Sequence, residues 1–131
     1  MKKESGFTVI ELIIFFVILV VLGAFFWIQK VDLESSFDDQ SRKTAINSIY
    51  YNLTEVYYPK NGYYPSSISP EKLTAIDPEL FIDPYGLTFG DPDSDFAYEG
   101  INCSNEGRCQ DFRLSSNMEK ESEYIRTAPS K

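Results

Sequence analysis

The chain contains no histidine and only two cysteines, Cys103 and Cys109. It therefore lacks the commonest general base and a common metal ligand. Two thiols without histidine supply half of a structural zinc site. No nucleophile motif and no phosphate-cradling glycine loop stands in for them, so we expect no enzyme. Basic residues are also scarce: 12 Lys+Arg stand against 20 Asp+Glu, a net charge of −8 over 131 residues. That balance argues against nucleic acid as a partner. From Lys30 to Tyr58 there is neither proline nor glycine, so nothing there interrupts a helix. No small-residue cleavage site follows the N-terminal apolar run, which argues against an ordinary secretory signal peptide.

That apolar run is the strongest positive feature. Leu12 to Ile28 reads LIIFFVILVVLGAFFWI, 17 residues without a charge. Extended back to Phe7 it is 22 residues, roughly 33 Å of helix at ~1.5 Å per residue, long enough to cross a bilayer. Lys2 and Lys3 precede it and Asp32 and Glu34 follow it. The charge asymmetry places the N-terminus in the cytoplasm and residues from about 30 onward outside. Cys103 and Cys109 then face an oxidising compartment, where they are expected to close a small disulfide loop. Such a loop contributes about 2 kcal/mol in the chain-entropy account. One acid, Glu11, sits at the start of the run. An unpaired carboxylate there costs about 2.5–3.5 kcal/mol on insertion scales, so it calls for a partner.

The stretch Gly6-Phe7-Thr8-Val9-Ile10-Glu11-Leu12 behind a short basic head resembles the class III signal of type IV prepilins and pseudopilins. The resemblance implies cleavage between Gly6 and Phe7 by a prepilin peptidase and N-methylation of Phe7. It makes Glu11 the fifth residue of the mature chain, which sets axial register between subunits. The physics agrees: Phe7 and Glu11 are at i and i+4, on one helix face. Cleavage creates at Phe7 the charged amine that Glu11 lacks. The family further implies a membrane platform protein, an assembly ATPase and a homopolymer of subunits.

Beyond the span, Leu33, Phe37, Ala45, Ile49, Leu53 and Tyr57 recur at close to four-residue spacing, an amphipathic pattern. Asp38 and Asp39 precede Arg42 and Lys43 at i+4 and read as a solvated face. One helix from Phe7 to about Tyr58 is expected, ending before the turn-rich stretch that opens at Pro59. Ser69-Pro70 reads as a second helix start. Leu87–Phe89, Phe96–Ile101 and Asp111–Ser116 read as strands, with Tyr124 and Ile125 anchoring one more. A mobile tail is expected from Arg126. The tyrosines on and after the helix are expected to fill the seam between helix and sheet.

The expected fold class is α+β. A long N-terminal helix, transmembrane then amphipathic, packs on a small antiparallel sheet. The expected divisions are a leader at 1–6, a membrane or filament-core half at 7–29, an amphipathic half at 30–58 and a head at 59–131. Asn61-Gly62-Tyr63-Tyr64-Pro65, Asp83-Pro84-Tyr85-Gly86 and the stretch from Phe112 to Glu119 resemble pieces of major pseudopilins of type II secretion and of many pilins. Asp91, Asp93 and Asp95 have the opening spacing of a calcium loop. Phe96 and Asn102 stand where the glycine and glutamate of such a loop belong, so no cofactor is expected apart from calcium at a looser site.

Three functions follow in order. The first is a pilin subunit, held in the cytoplasmic membrane with its head outside. It polymerises through its helix into a surface filament for adhesion, motility or DNA uptake. The second is a pseudopilin of a secretion or competence system. The third is a signal-anchored protein with a small binding domain.

Overall fold

The structure is a computed structural model and describes residues 8–130. Helix α1 runs Val9–Tyr51 and passes into a π-helical segment, Asn52–Tyr57, then a last α-turn, α2, Tyr58–Asn61. The strands are β1 (Tyr64–Pro65), β2 (Phe96–Cys103), β3 (Arg108–Ser116) and β4 (Tyr124–Thr127). The chain divides after Ser35 into two compact units.

The first unit is apolar helix. Among its described residues Leu12 to Ile28 are exposed, and none of the described residues buries the most apolar stretch. A helix apolar all round is one that a membrane or other helices must cover.

In the second unit, β3 is the centre of an antiparallel sheet. β2 pairs with one edge, and β1 and β4 pair with the other. The register sets Phe96 opposite Ser116 and Cys103 opposite Cys109. Ala45, Ile46, Ile49 and Leu53 from the helix share one buried cluster with Tyr64, Phe81, Phe96, Phe112 and Leu114. Phe112 is the hub of the aromatic seam. Its ring centroid is 4.7 Å from that of Tyr64, 6.0 Å from Tyr50 and 6.1 Å from Tyr98. Tyr51 and Tyr85 instead face outward.

Several sequence expectations are corrected here. The helix continues through Pro59 to Asn61 and stops at Gly62, whose φ of 78° suits only glycine well. The π-helical segment ends at Tyr57, two residues before Pro59. There the hydrogen-bond ladder shifts from i−4 to i−5, Tyr58 donating to the Leu53 carbonyl. A residue with no N–H is least costly where the ladder is already shifting. The apolar stripe is also displaced. Ala45, Ile49 and Leu53 are buried, but Leu33 and Phe37 are exposed. A four-residue stride overshoots a 3.6-residue turn by about 40° each step, so it leaves the true face within a few turns. Ser69-Pro70 makes a single turn closed on the Ser69 carbonyl by Lys72 and Leu73. The short helix starts at Asp77-Pro78 instead, a 3-10 turn whose Asp77 carboxylate caps Glu79 N–H. Leu87–Phe89 contributes one bridge, Ile82 to Thr88, and no strand. Arg126 and Thr127 belong to β4 rather than to a tail. The Arg126 Nε donates to Asn47 Oδ1 at 2.9 Å, and its guanidinium lies 4.8 Å from the Tyr50 ring centroid.

Gly100 lies beneath the bond between Cys103 and Cys109. A Cβ there would stand 2.6 Å from Cys109 Sγ, 2.9 Å from Cys103 Sγ and 3.3 Å from the Pro65 carbonyl. Gly100→Ala is therefore expected to destabilise the oxidised protein by roughly 1–3 kcal/mol, as overpacking does. The loss should shrink after reduction, when the sulfurs can separate. Thermal melts of both variants in both redox states check this; an alanine variant that melts with the parent in each would contradict it.

Candidate functional site

The N-terminal site begins with the start of α1. Thr8 precedes the first helical residue, and its carbonyl accepts from Glu11 N–H at 3.1 Å and from Leu12 N–H at 3.2 Å. The Glu11 carboxylate reaches back toward Thr8 N–H at 3.4 Å. Threonine followed three residues later by glutamate is the sequence of a capping box. A carboxylate in the first turn also faces the positive end of the helix dipole. Glu11 is exposed and is followed by the uncovered apolar face. This arrangement presents one acid and a long hydrophobic surface to whatever surrounds the helix. Gly6 and Phe7, the expected cleavage and methylation positions, lie outside the described residues.

Cys103 and Cys109 form a disulfide across the end of the β2–β3 hairpin, with Cα atoms 3.8 Å apart. The loop between them turns on Gly107, at a φ of 72°. Ser104 N–H bonds the Arg108 carbonyl at 2.8 Å and Gly107 N–H bonds the Ser104 carbonyl at 3.0 Å.

The three aspartates of the calcium-like spacing have separate fates. Asp91 Oδ2 accepts from Thr88 N–H at 2.8 Å and from its hydroxyl at 3.0 Å. Asp93 is exposed. Asp95 Oδ2 accepts from Arg42 Nη2 at 2.9 Å. Among the described residues no three acidic, histidine or cysteine side chains are close enough to hold a metal ion together.

Arg42 organises a centre that the spacing of charges did not reveal. Asp39 and Arg42 are buried rather than solvated. Arg42 Nη1 bonds Asp39 Oδ1 at 2.9 Å, and Nη2 reaches Asp95 at 2.9 Å and Glu119 Oε1 at 3.1 Å. Asp39 also accepts from Glu119 N–H at 2.9 Å and Lys120 N–H at 3.0 Å. Tyr85 lies under the guanidinium, 5.6 Å from ring centroid to Cζ, and donates its hydroxyl to Glu119 at 3.0 Å. Lys43 pairs outside this centre, with Glu121 at 2.6 Å. A signal was present in the sequence. Asp39, Arg42, Ile46, Ile49 and Leu53 are spaced by three, four, three and four, which puts both charges on the buried face. Beside this centre Asp83 accepts from Tyr85 and Leu87 N–H at 2.9 Å each, and from Asp95 N–H at 3.0 Å.

Burial pushes the Asp39 carboxyl up, but the Glu119 and Lys120 N–H groups and Arg42 outweigh it and hold it below its ordinary 3.8. For Asp83, burial is likewise outweighed by the N–H groups of Leu87, Asp95 and Tyr85 and by the Ser94 hydroxyl. Burial pushes Arg42 down, and Glu119, Asp95 and Tyr85 more than restore it. A carboxylate whose native pKa is depressed stabilises the fold fully above its unfolded value and loses that as pH falls through the native one. The denaturation midpoint is therefore expected to fall as the pH is lowered from roughly 5 to below 3. In Asp39→Asn or Asp83→Asn that pH dependence should flatten. Denaturant melts along this pH series measure it; equal slopes in parent and both variants would refute the assignment.

Residues 1–27 match the family model described as the prokaryotic N-terminal methylation motif. No curated protein and no solved structure matches the chain. The match spans Gly6, Phe7, Glu11 and most of the uncovered apolar run. The chain thus carries, at its N-terminus, the class III signal of type IV pilins and pseudopilins.

Proposed function

We propose that the protein is a structural subunit of a type IV pilus. It is held in the cytoplasmic membrane with its head outside, cut between Gly6 and Phe7, methylated at Phe7 and added to a growing surface filament. The observation that carries this reading is the methylation motif running directly into an apolar helix left uncovered by the described residues. In lipid that surface is satisfied but Glu11 is not. In a bundle of identical helices the surface stays covered, and the amine freed at Phe7 neutralises Glu11. Repeated head-to-tail contact of one subunit with the next builds an open filament. A prepilin peptidase, a platform protein and an assembly ATPase are the partners this route requires.

A second reading is a pseudopilin of a secretion or competence system. Asn61-Gly62-Tyr63-Tyr64-Pro65 and Asp83-Pro84-Tyr85-Gly86 resemble segments of major pseudopilins and of many pilins alike, so they are compatible with either. Electron microscopy separates the two: surface filaments that vanish on deletion support the pilus.

Mass spectrometry of the mature chain is expected to find an N-terminal methylated Phe7. An intact Met1 would sink both readings and leave a signal-anchored protein. Glu11→Ala is expected to insert into the membrane at least as well as the parent, because a carboxylate costing about 2.5–3.5 kcal/mol is gone. Its incorporation into filaments should fall sharply, since removing one partner of a buried pair costs ~3–5 kcal/mol. Comparing membrane and sheared-filament fractions reads both effects, and an undiminished filament yield would remove Glu11 from the register role.

A further inference from the structure

The π-helical segment Asn52–Tyr57 carries more than an accommodation of Pro59. A π-turn widens the helix and re-aims its side chains, and such turns recur at functional sites. Here the widened turn forms one wall of a cavity of about 180 Å³. Asn52, Val56, Lys60, Asn61, Lys72 and Leu73 line it. Asn52 is only 7% exposed, and its amide makes no hydrogen bond with the described residues. A buried amide without a partner is costly. Arg42 Nε is the only fully enclosed side-chain polar atom without a partner among the described residues, so the Asn52 amide retains access to the cavity.

The charge of this cavity inverts that of the chain. Acids outnumber bases 20 to 12 overall, yet two lysines and no acid line the cavity. The Lys60 ammonium makes no ion pair or hydrogen bond with the described residues. Lys72 Nζ donates to the Ser67 carbonyl at 3.1 Å and to its hydroxyl at 2.7 Å, which leaves one N–H of the ammonium for another acceptor. Val56 and Leu73 supply an apolar wall. An amide donor, two ammonium groups and an aliphatic wall match a carboxylate on a short aliphatic stem. A phosphate would want an arginine fork or a nest of backbone N–H groups, and no arginine lines the cavity.

We propose that this cavity is a carboxylate-binding site, with Asn52, Lys60 and Lys72 holding the anion and Val56 and Leu73 its stem. The carboxylate comes either from a small free acid or from an Asp or Glu side chain of a second copy of the chain.

The test uses the full-length chain in detergent micelles, titrated with sodium propionate at constant ionic strength. The Asn52 side-chain amide is followed by NMR. A saturable shift is expected, weakened roughly tenfold or more in Lys60→Gln and in Asn52→Asp, as loss of a charge-assisted bond implies. Lys60 is exposed, so Lys60→Gln keeps the test valid should Asn52→Asp fail to fold. In assembled polymer, a carbodiimide cross-link from Lys60 to an acid of another copy assigns the site to subunit contact. Saturable propionate binding without that cross-link assigns it to a free acid. No saturable shift in the parent, or one unchanged in Lys60→Gln, overturns the proposal. The propionate arm does not depend on the pilus reading, so the two can fail separately.

Discussion

Ile46, Ile49 and Leu53 on one side, and Phe112 and Leu114 on the other, are almost wholly removed from water in one shared cluster. A fully buried aliphatic or aromatic side chain contributes about 1.5–3 kcal/mol, so this seam is the main source of cohesion in the second unit. The rest depends on it. A sheet in which β1 has two residues and β4 has four does not hold together in water unless one face is covered. The helix covers it. The loops between β1 and β2 add Ile68, Leu73 and Phe81 to the same cluster.

Burial alone is non-directional, and polar contacts select the arrangement. Arg42 joins the helix to the loop carrying Asp95 and to the segment carrying Glu119. Asp83 draws its own turn and the start of β2 onto one carboxylate. Each of these groups would be costly to bury alone and is tolerated because the others satisfy it. The disulfide closes the far end of the β2–β3 hairpin, and Gly100 leaves room for its sulfurs.

The same helix meets two different solvents. From Asp39 onward it is amphipathic and finds its cover within the chain. From Val9 to Ile28 it has no polar face apart from Glu11 and finds none. That division separates two tasks. The second unit, helix residues Ala45 to Leu53 included, holds its core within its own contacts, while the span requires lipid or other helices. Glu11 is the single acid on that otherwise apolar stretch.

The N-terminal signal, the apolar span, the disulfide pair, the α+β class and the positions of β2, β3 and β4 are legible in the order of the residues alone. These are local properties: a motif, a run, a spacing or a short alternation carries each of them. Tertiary structure decided the rest. Whether Arg42 is solvated or buried depends on Asp95 and Glu119, which lie 53 and 77 residues away. Whether Leu87–Phe89 becomes a strand depends on partners elsewhere in the chain, and it finds one bridge, Thr88 to Ile82. Whether Pro59 ends the helix depends on the shift of the hydrogen-bond ladder over Asn52–Tyr57, with Asn52 and Leu53 held in the core. Periodicity reports which residues share a face. Only the packed chain settles which face is buried, and which charges and backbone groups its partners satisfy there.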